Sequence, residues 1–351
     1  MHVAVIGAGI IGSSIAWRLA QRGCRVTLLD KGVMGGEASW AGAGMLAPGG
    51  EVIDRSAWSE MAVASAASYP AFLRELTQES GLPIDYQCGG AVEVSVEPEE
   101  YARLDRRLVH QAALGILSQS IPGGGLAQYL PAAVLPADGR ARFFPGDALV
   151  DPRDVMRALR IACESRGVAI RETTPVESVE WRRGQAFIGC RDGAGIQADG
   201  AVLAAGAWSL DIRLAYPTPQ TFPVRGHLLG YHLEPNLLPC ILRRGHTYLV
   251  QRSSGFLIAG ASSESVGFDR TIDPAIVEEL RASAGELFPL LRGLRPEAWI
   301  GFRPATPSYL PEIRPLDDTG IWLAYGHYRN GILLAPETAR RVAEGLTTSA
   351  T

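Results

Sequence analysis

Three glycines close to the N-terminus have the spacing of a dinucleotide-binding turn. Gly7, Gly9 and Gly12 form the pattern GxGxxG directly after an apolar run at 3–6. In such a turn the first glycine permits a tight bend, the second lets the backbone approach a pyrophosphate, and the third lets the following helix pack close to the sheet. The helix N-terminus stabilises the negative charge of the pyrophosphate. The pattern in this context predicts a bound dinucleotide.

Asp30 narrows the identity of that dinucleotide. It lies 18 positions beyond Gly12, at the end of a second apolar strand predicted at 25–29. A carboxylate at this place accepts hydrogen bonds from both hydroxyls of an adenosine ribose and repels a 2′-phosphate. The residues therefore favour FAD or NAD over NADP, and they do not separate FAD from NAD.

Arg303 is a candidate for binding a small anion. Pro304 follows it and restricts the arginine to an extended, locally stiff backbone. A guanidinium group matches a carboxylate with two parallel hydrogen bonds. In a dry cleft each such charge-assisted bond contributes about 1.5–3 kcal/mol.

These residues must be positioned by strands and helices, and the sequence pattern predicts several. Residues 3–6, 11–22 and 25–29 are predicted as the strand, helix and strand that carry a dinucleotide-binding turn. Capping residues predict helices that begin at Asp151-Pro152 and Asp273-Pro274. The other predicted elements are a helix at 56–80, strands and turns at 86–147, strands at 168–173, 176–182, 185–191, 201–206 and 321–325, a β-rich segment at 217–261, and a helix at 332–345.

Composition limits the other chemistry of the chain. The 351 residues carry a formal net charge of −4 without a run of basic residues, which argues against a surface for nucleic acid or anionic lipid. Lys31 is the sole lysine, so Schiff-base chemistry would depend on this residue alone. The cysteines form no CxxC pair, the histidines show no metal-ligand spacing, and no stretch is long enough to span a bilayer. We therefore expect a cytoplasmic protein with no metal, nucleic-acid or membrane partner.

Further segments give the sequence a resemblance to a known family. They lie at 34–48, 150–153, 205–209, 301–307 and 326–333, and with the N-terminal glycines they extend over nearly the whole chain. In these segments the sequence resembles the D-amino-acid oxidase superfamily of flavoproteins, and within it most closely the glycine oxidases of thiamine biosynthesis. The resemblance implies FAD as the cofactor. The 326–331 loop has no cysteine that could attach a flavin, so the FAD is expected to be non-covalent.

The resemblance also implies which residues contact FAD, with Val176 doing so through its backbone. The expected contacts are Gly7, Gly9, Ile10, Ile11, Gly12, Asp30, Lys31, Ala38, Ser39, Ala43, Gly44, Met45, Val176, Gly206, Arg303, His327, Tyr328, Arg329, Asn330, Gly331, Ile332 and Leu333. Gly42 and Gly44 are expected to let the backbone lie close to the flavin ring. The helix predicted from Ile332 is expected to direct its N-terminal dipole towards negative charge on the reduced flavin.

The same resemblance implies a substrate site. The family's arginine that matches Arg303 binds a substrate carboxylate, Tyr248 matches a tyrosine whose hydroxyl assists, and Arg329 matches a residue close to substrate and flavin. His246 is expected to form a wall of the pocket and completes the predicted catalytic set. Glycine, sarcosine or a small D-amino acid would transfer a hydride to FAD, and water would hydrolyse the resulting imine to an oxo acid and ammonia. Oxygen would re-oxidise the flavin and form hydrogen peroxide, and the organic product could feed thiamine thiazole synthesis.

The sequence departs from the family pattern at three positions near these motifs. Relatives often have threonine at the position of Ser262, glycine at Arg314 and glutamine at His227. These differences affect the expected substrate size more than the expected flavin binding.

The predicted fold is of the α/β class, in an α+β two-domain arrangement. A Rossmann-like FAD-binding domain is predicted at 1–85, 148–216 and 310–351. An interleaved, mainly antiparallel β substrate domain is predicted at 86–147 and 217–309.

Three other functions stay open at this point. A dehydrogenase would pass electrons from an amino acid or secondary amine to a carrier instead of oxygen. A non-catalytic flavoprotein would bind FAD that no small amino acid reduces, and an NAD-dependent dehydrogenase would be colourless. The preferred substrate and the oligomeric state, including a homo-oligomer, are also left open.

Overall fold

The computed structural model describes residues 1–122, 125–133 and 139–348. Within them the α-helices are α1 (Ile10–Gln21), α2 (Ala38–Ala41), α3 (Pro48–Glu51), α4 (Ala57–Ser80), α5 (Pro98–Ala113), α6 (Pro152–Ser165), α7 (Pro274–Leu287) and α8 (Gly331–Thr348). Short 3₁₀ helices lie at Gly125–Gln128, Gly206–Asp211 and Pro289–Leu291. No helix in the described ranges combines the length and the apolar character that crossing a membrane requires.

The β-strands of the described residues form four sheets. In chain order the strands are β1 (His2–Ile6), β2 (Arg25–Leu29), β3 (Met45–Leu46), β4 (Tyr86–Gln87), β5 (Ala91–Ser95), β6 (Gln119–Ile121), β7 (Arg140–Phe144), β8 (Ala148–Val150), β9 (Ala169–Arg171), β10 (Val176–Arg182), β11 (Gln185–Cys190), β12 (Gly195–Ala198), β13 (Gly200–Leu203), β14 (Arg213–Leu214), β15 (Phe222–His232), β16 (Ile241–Arg244), β17 (Thr247–Gln251), β18 (Phe256–Gly260), β19 (Glu297–Ala305), β20 (Glu312–Pro315) and β21 (Ile321–Tyr325). The sheet orders are β20-β21-β13-β1-β2-β9, β12-β11-β10-β14, β19-β15-β18-β17-β16-β5-β7-β6 and β3-β8-β4.

The six-stranded sheet is the middle of three layers. Strands β21, β13, β1, β2 and β9 run parallel, and β20 adds an antiparallel edge. Val3 and Val5 face a core that contains α1, α4, α6 and α8, whereas Ala4 and Ile6 face the four-stranded sheet. Because successive strand residues point to opposite faces and both faces are covered, β1 is apolar along nearly its whole length.

The eight-stranded sheet is mainly antiparallel, with one parallel pair between β5 and β16. One of its faces packs against α7 through Leu280, Ala284 and Leu287. Its other face contributes Leu228 and Ile258 to a core shared with the alanines of the 41–47 segment. The strands of this sheet lie at 91–144 and 222–305, and those of the six- and four-stranded sheets lie at 2–29, 169–214 and 312–325. The exact boundaries of the two predicted domains stay a prediction.

Helix α5 lies where the sequence analysis predicted strands and turns, so that prediction was wrong for 98–113. Pro98 occupies the first turn, and Glu97 forms a capping box with Glu100. Of the residues of this helix only Leu104 and Gln111 are buried, so little of the helix joins the core. The side-chain amide of Gln111 donates to two carbonyl oxygens next to α3, at 3.0 and 2.8 Å.

The predicted helix starts are confirmed where a capping side chain marks them. Ser56 caps α4, Asp151 accepts a hydrogen bond from the Arg153 amide at 2.8 Å, and Asp273 accepts one from the Ala275 amide at 2.8 Å. A cap acts within one turn of the chain, so its sequence signal is local. The strands predicted at 176–182 and 321–325 are also confirmed, and so is the mixed α/β class.

Candidate active site

A cavity of about 660 Å³ lies between the parallel sheet and the eight-stranded sheet. Ile6 and Leu29, at the carboxyl ends of β1 and β2, line one part of it. Leu228 and Tyr248 of the eight-stranded sheet line another part. Ligands of open parallel sheets bind beyond the carboxyl ends of the strands, so the cavity has the expected position for a bound nucleotide.

Nearly all residues of the predicted sites line this cavity. They are Gly7, Gly9, Ile10, Ile11, Asp30, Lys31, Ala38, Ser39, Ala43, Gly44, Met45, Val176, Gly206, His246, Tyr248, Arg303, His327, Tyr328, Arg329, Asn330, Gly331 and Ile332. Gly12 and Leu333 do not line it, and Leu333 is buried in the core around α1 and α8, which does not support its predicted contact. The N-terminal glycine turn and the 326–331 loop come from opposite ends of the chain and border one cavity.

The glycine turn shows why each position lacks a side chain. Gly7 has φ 103°, and a Cβ there would overlap the carbonyl oxygen of Ala204. A Cβ at Gly12 would overlap the carbonyl oxygen of Gly7, so α1 can approach the sheet only with glycine at this position. A Cβ at Gly9 would lie 3.3 Å from Oγ of Ser39. The first turn of α1 lines the cavity, and its backbone amides have no acceptors within the helix.

Asp30 lines the cavity and also closes the loop around it. Its carboxylate accepts hydrogen bonds from the backbone amides of Ala8 at 2.7 Å and Gly32 at 2.8 Å. Burial raises the pKa of Asp30, and these two bonds oppose the shift. Each carboxylate oxygen has a second lone pair, which leaves acceptors for ribose hydroxyls.

Lys31 has a partner that the sequence analysis did not assign. Its Nζ lies 3.4 Å from the ring centroid of Trp208, a residue of the 205–209 motif that also lines the cavity. A cation over an indole face is held by the quadrupole of the ring. Burial lowers the pKa of Lys31.

Gly42 and Gly44 line the cavity, and protein neighbours also constrain them. A Cβ at Gly42 would lie 2.7 Å from Cδ1 of Ile332. Gly44 has φ 91°, and a Cβ there would overlap the carbonyl oxygen of Val150. Protein atoms therefore occupy the space that a side chain would need at these positions, and the expected approach to the flavin ring stays a prediction.

The residues around the 326–331 loop fit a flavin. Helix α8 begins at Gly331, so the positive end of its dipole borders the cavity. His327 is buried and its Nε2 lies 3.1 Å from Oγ1 of Thr338. Burial lowers the pKa of His327 to about 3, so its imidazole is neutral near neutral pH. With the glycine turn and Asp30, the cavity offers donors for phosphates, acceptors for a ribose and a dipole for the flavin, which fits FAD.

Arg303 and Tyr248 line the same cavity from strands of the eight-stranded sheet. A Cβ at Gly226 would lie 2.5 Å from both Nη atoms of Arg303, so the guanidinium rests on this glycine. A Cβ at Gly260 would lie 2.5 Å from the hydroxyl of Tyr248, which rests on its own glycine. Burial raises the pKa of Tyr248, and the charge of Arg303 opposes this shift. The phenol is therefore a protonated donor near neutral pH.

Arg303 differs in its charge balance from Arg329 and Arg243, which also line the cavity. Arg329 forms an ion pair with Glu51 at 2.7 Å, and this carboxylate raises the pKa of Arg329. Arg243 pairs with Asp147 at 2.7 Å and also with Glu93 at 2.9 Å. Arg303 has no ion-pair partner within residues 1–122, 125–133 and 139–348. It is left with an uncompensated positive charge that a substrate anion can neutralise.

Glu51 and Arg243 line the cavity and were missed by the sequence analysis. Glu51 ends the one-turn helix α3, whose short sequence carries no periodic signal. Arg243 lies in β16, and nothing in its local sequence separates it from a surface arginine. Within the described ranges no three His, Cys, Asp or Glu side chains come together as a metal site.

Comparison with known proteins supplies the family. A family model described as FAD dependent oxidoreductase matches residues 2–345. The chain is 33% identical over 354 residues to glycine oxidase of Pseudomonas aeruginosa, which covers 98% of this chain and 94% of that protein. It is 35% identical over 356 residues to bifunctional protein ThiO/ThiG of Synechocystis sp., which covers 97% of this chain and 51% of that protein.

The fold agrees with a solved relative. The crystal structure of glycine oxidase from Geobacillus kaustophilus matches with a TM-score of 0.93 at 31% identity, covering 99% of this chain and 94% of that one. The predicted fold class, the family resemblance and FAD as cofactor are thereby confirmed. The chain belongs to the FAD dependent oxidoreductase family, and it is an FAD-dependent enzyme.

Proposed function

We propose that the enzyme oxidises glycine or another small amino acid or amine that carries a carboxylate, such as sarcosine or a small D-amino acid. The products are an oxo acid, ammonia and, with oxygen as the electron acceptor, hydrogen peroxide. One observation carries the proposal: Arg303, which has no ion-pair partner among the described residues, presents its guanidinium to the cavity that Tyr248 also lines. Two relatives named glycine oxidase support this substrate class.

FAD supplies the two-electron acceptor for this reaction when it is bound. The chain contributes the glycine turn and the N-terminus of α1 for the pyrophosphate, Asp30 for the ribose, and the N-terminus of α8 for the flavin. These assignments use groups that line the cavity and whose charges match those parts of the cofactor.

Arg303 and Tyr248 orient the substrate through its carboxylate. A carboxylate that accepts two parallel bonds from Arg303 is fixed in both position and plane. The Tyr248 hydroxyl is a protonated donor and adds a bond from the same wall. Holding the carboxylate at one end also holds the adjacent Cα, and this orientation lowers the barrier because less freedom is lost on reaching the transition state.

Arg329, Glu51 and His246 limit the substrate on the remaining sides. The Arg329–Glu51 ion pair and His246 line the cavity, so its wall is polar on this side. Glu51 would repel an acidic substrate side chain. The walls therefore favour glycine, sarcosine and D-alanine over acidic amino acids.

A purified preparation tests the proposal directly. Its visible spectrum should show oxidised flavin, and anaerobic addition of glycine, sarcosine or D-alanine should bleach that spectrum. Readmitted oxygen should restore the spectrum and produce one hydrogen peroxide for each amine oxidised. Bleaching without peroxide would show that a carrier accepts the electrons, and flavin that none of these amines bleaches would refute the substrate class.

A metabolic role follows from the same product chemistry. The relative named bifunctional protein ThiO/ThiG supports a link between this oxidation and thiamine thiazole synthesis. Deleting the gene should create a requirement for the thiazole part of thiamine, and growth without supplements would refute this part of the proposal.

A further inference from the structure

A buried charged cluster lies behind Arg303, and the proposed reaction does not use it. We define the Glu264 cluster as Arg225, His227, Ser262 and Glu264. His227 is fully buried, Arg225 is 4% exposed, and the Glu264 side chain is 16% exposed. Burying a carboxylate and a guanidinium has a large desolvation cost, which is offset only where the two groups are well paired and hydrogen-bonded.

Glu264 is the common acceptor of this cluster. Its Oε1 accepts from Ser262 Oγ at 2.7 Å and from His227 Nδ1 at 2.8 Å, and its Oε2 accepts from Arg225 Nη2 at 2.6 Å. Burial raises the pKa of Glu264, but the bonds from these three side chains outweigh it and lower the pKa overall. The carboxylate is therefore ionised and held from three directions.

The backbone fixes the tautomer of His227. Its Nε2 accepts from the backbone amide of Asp273 at 3.0 Å, so this nitrogen carries no proton in that bond. The proton of the neutral ring is then on Nδ1, which points at Glu264. Asp273 also caps α7, so His227 joins Glu264 to the start of that helix.

Ser262 connects the cluster to Arg303. Its Oγ accepts from the backbone amide of His227 at 2.8 Å while donating to Glu264. Its carbonyl oxygen accepts from Arg303 Nη1 at 2.9 Å. The backbones of Arg225 and Glu264 exchange two further hydrogen bonds, at 2.9 and 3.0 Å. The carbonyl that orients Arg303 therefore belongs to a segment whose position the cluster determines.

Gly226, which also supports the Arg303 guanidinium, lies between two members of the Glu264 cluster. These members are Arg225 and His227, its neighbours in β15. Both neighbours are held by Glu264 through their side chains. An arginine side chain has several rotatable bonds, and a guanidinium that is already oriented loses less entropy when it binds a carboxylate.

We propose that Glu264 and His227 are positioning residues that orient the Arg303 guanidinium through the Ser262 carbonyl. The inference rests on the proposed role of Arg303 in binding the substrate carboxylate. Neither positioning residue needs to touch the substrate, because their effect passes through Ser262 and Gly226.

The test compares Glu264→Ala and Glu264→Gln with the control Glu297→Gln. Glu297 lies on the same strand as Arg303 and pairs with His232 at 3.1 Å, but its side chain is 67% exposed. The measurements are the Kd of acetate, taken from the flavin absorbance of the holoenzyme, and KM and kcat for glycine. We expect Glu264→Ala to raise Kd and KM about tenfold or more, as loss of one charge-assisted bond would. We expect kcat to change less than KM. The Kd and KM of Glu264→Gln should lie between those of the parent and Glu264→Ala, and those of Glu297→Gln should equal the parental values.

Variants of His227 provide a second, independent comparison. Glutamine offers an amide donor to Glu264 and a carbonyl acceptor to the Asp273 amide, whereas leucine offers neither. We therefore expect His227→Gln to keep the acetate Kd within about threefold of the parent and His227→Leu to weaken it about tenfold. If Glu264 and His227 had only a structural role, their replacement would lower thermal stability and FAD content. The acetate Kd of the FAD-loaded fraction would then stay unchanged.

The outcomes separate the two proposals. If Arg303→Ala weakens acetate binding but FAD-loaded Glu264→Ala and His227→Leu bind acetate like the parent, the positioning role is refuted and the role of Arg303 stands. If Arg303→Ala binds acetate normally, the proposed substrate site is wrong and the positioning role fails with it. If Glu264→Ala does not fold, Glu264→Gln and His227→Leu decide the question by the same readout.

Discussion

Replacing Arg303 with lysine or alanine separates the charge of its guanidinium from its shape. One of its five N–H groups is engaged by the Ser262 carbonyl, and the parallel pair needed for a carboxylate is still available. Each charge-assisted bond contributes about 1.5–3 kcal/mol, so losing two costs about 3–6 kcal/mol. That loss corresponds to an increase in Kd of about 10²- to 10⁴-fold in Arg303→Ala. Arg303→Lys keeps the charge and one bond, so we expect an increase of about 10- to 100-fold.

The assay is an anaerobic titration of the FAD-loaded protein with acetate and with glycine, followed by flavin absorbance. Arg314→Ala is the matched control, because Arg314 is a partly exposed arginine that pairs with Glu312 at 3.0 Å. An exposed pair of this kind contributes at most about 1 kcal/mol, so the control should bind acetate like the parent.

Two results would refute the reasoning. If Arg303→Ala is fully loaded with FAD and binds acetate with the parental Kd, Arg303 does not hold the carboxylate. If Arg303→Lys binds acetate with the parental Kd, the positive charge is sufficient for binding and the two-bond geometry of the guanidinium contributes nothing.

Three further predictions concern other parts of the cavity. Gly7→Ala should lose most of its FAD, measured as the ratio of flavin to protein absorbance, because the new Cβ would overlap a backbone carbonyl and the φ of 103° is strained for alanine. Glu51→Gln should tighten acetate binding about two- to fivefold at low salt, because Arg329 loses its neutralising partner. Burial lowers the pKa of His327 to about 3, below its unfolded value, so protonation favours the unfolded state as pH falls from about 6.5 towards 3. Thermal stability should therefore decline less between pH 7.5 and 4.5 in His327→Gln than in the parent.

Each of these three predictions has a control variant or a result that would contradict it. Gly193 also has positive φ, at 82°, but a Cβ there meets nothing within 4 Å, so Gly193→Ala should keep its FAD. Equal FAD loss in both variants would attribute the effect to strain alone. Tightening in Glu51→Gln that persists at 1 M salt would contradict an electrostatic cause. Parallel pH profiles of parent and His327→Gln would show that this histidine does not titrate as its burial requires.

Features that depend on a few consecutive residues could be predicted from the sequence. The glycine turn, Asp30 and the caps at Asp151 and Asp273 follow from stereochemistry and hydrogen bonding within a few residues. Helix α5 was missed although Pro98 and the capping box of Glu97 with Glu100 mark its start, so the sequence did carry a local signal for it. Most residues that the resemblance implied line one cavity, but it did not reveal the protein contacts that constrain Gly42 and Gly44, because those neighbours are distant in sequence.

The sequence by itself determined the dinucleotide-binding unit and its preference for a nucleotide without a 2′-phosphate, because both depend on local spacing and on one carboxylate. Only the tertiary structure decided which of the two predicted substrate-site arginines has an ion-pair partner among the described residues. The chain has 33 lysine and arginine residues, and their local sequences do not reveal their partners. Arg329 is neutralised by Glu51, and Arg303 is oriented by a carbonyl that Glu264 and His227 hold in place. Ion pairing and burial arise where distant segments meet, so they become visible only once the chain is folded.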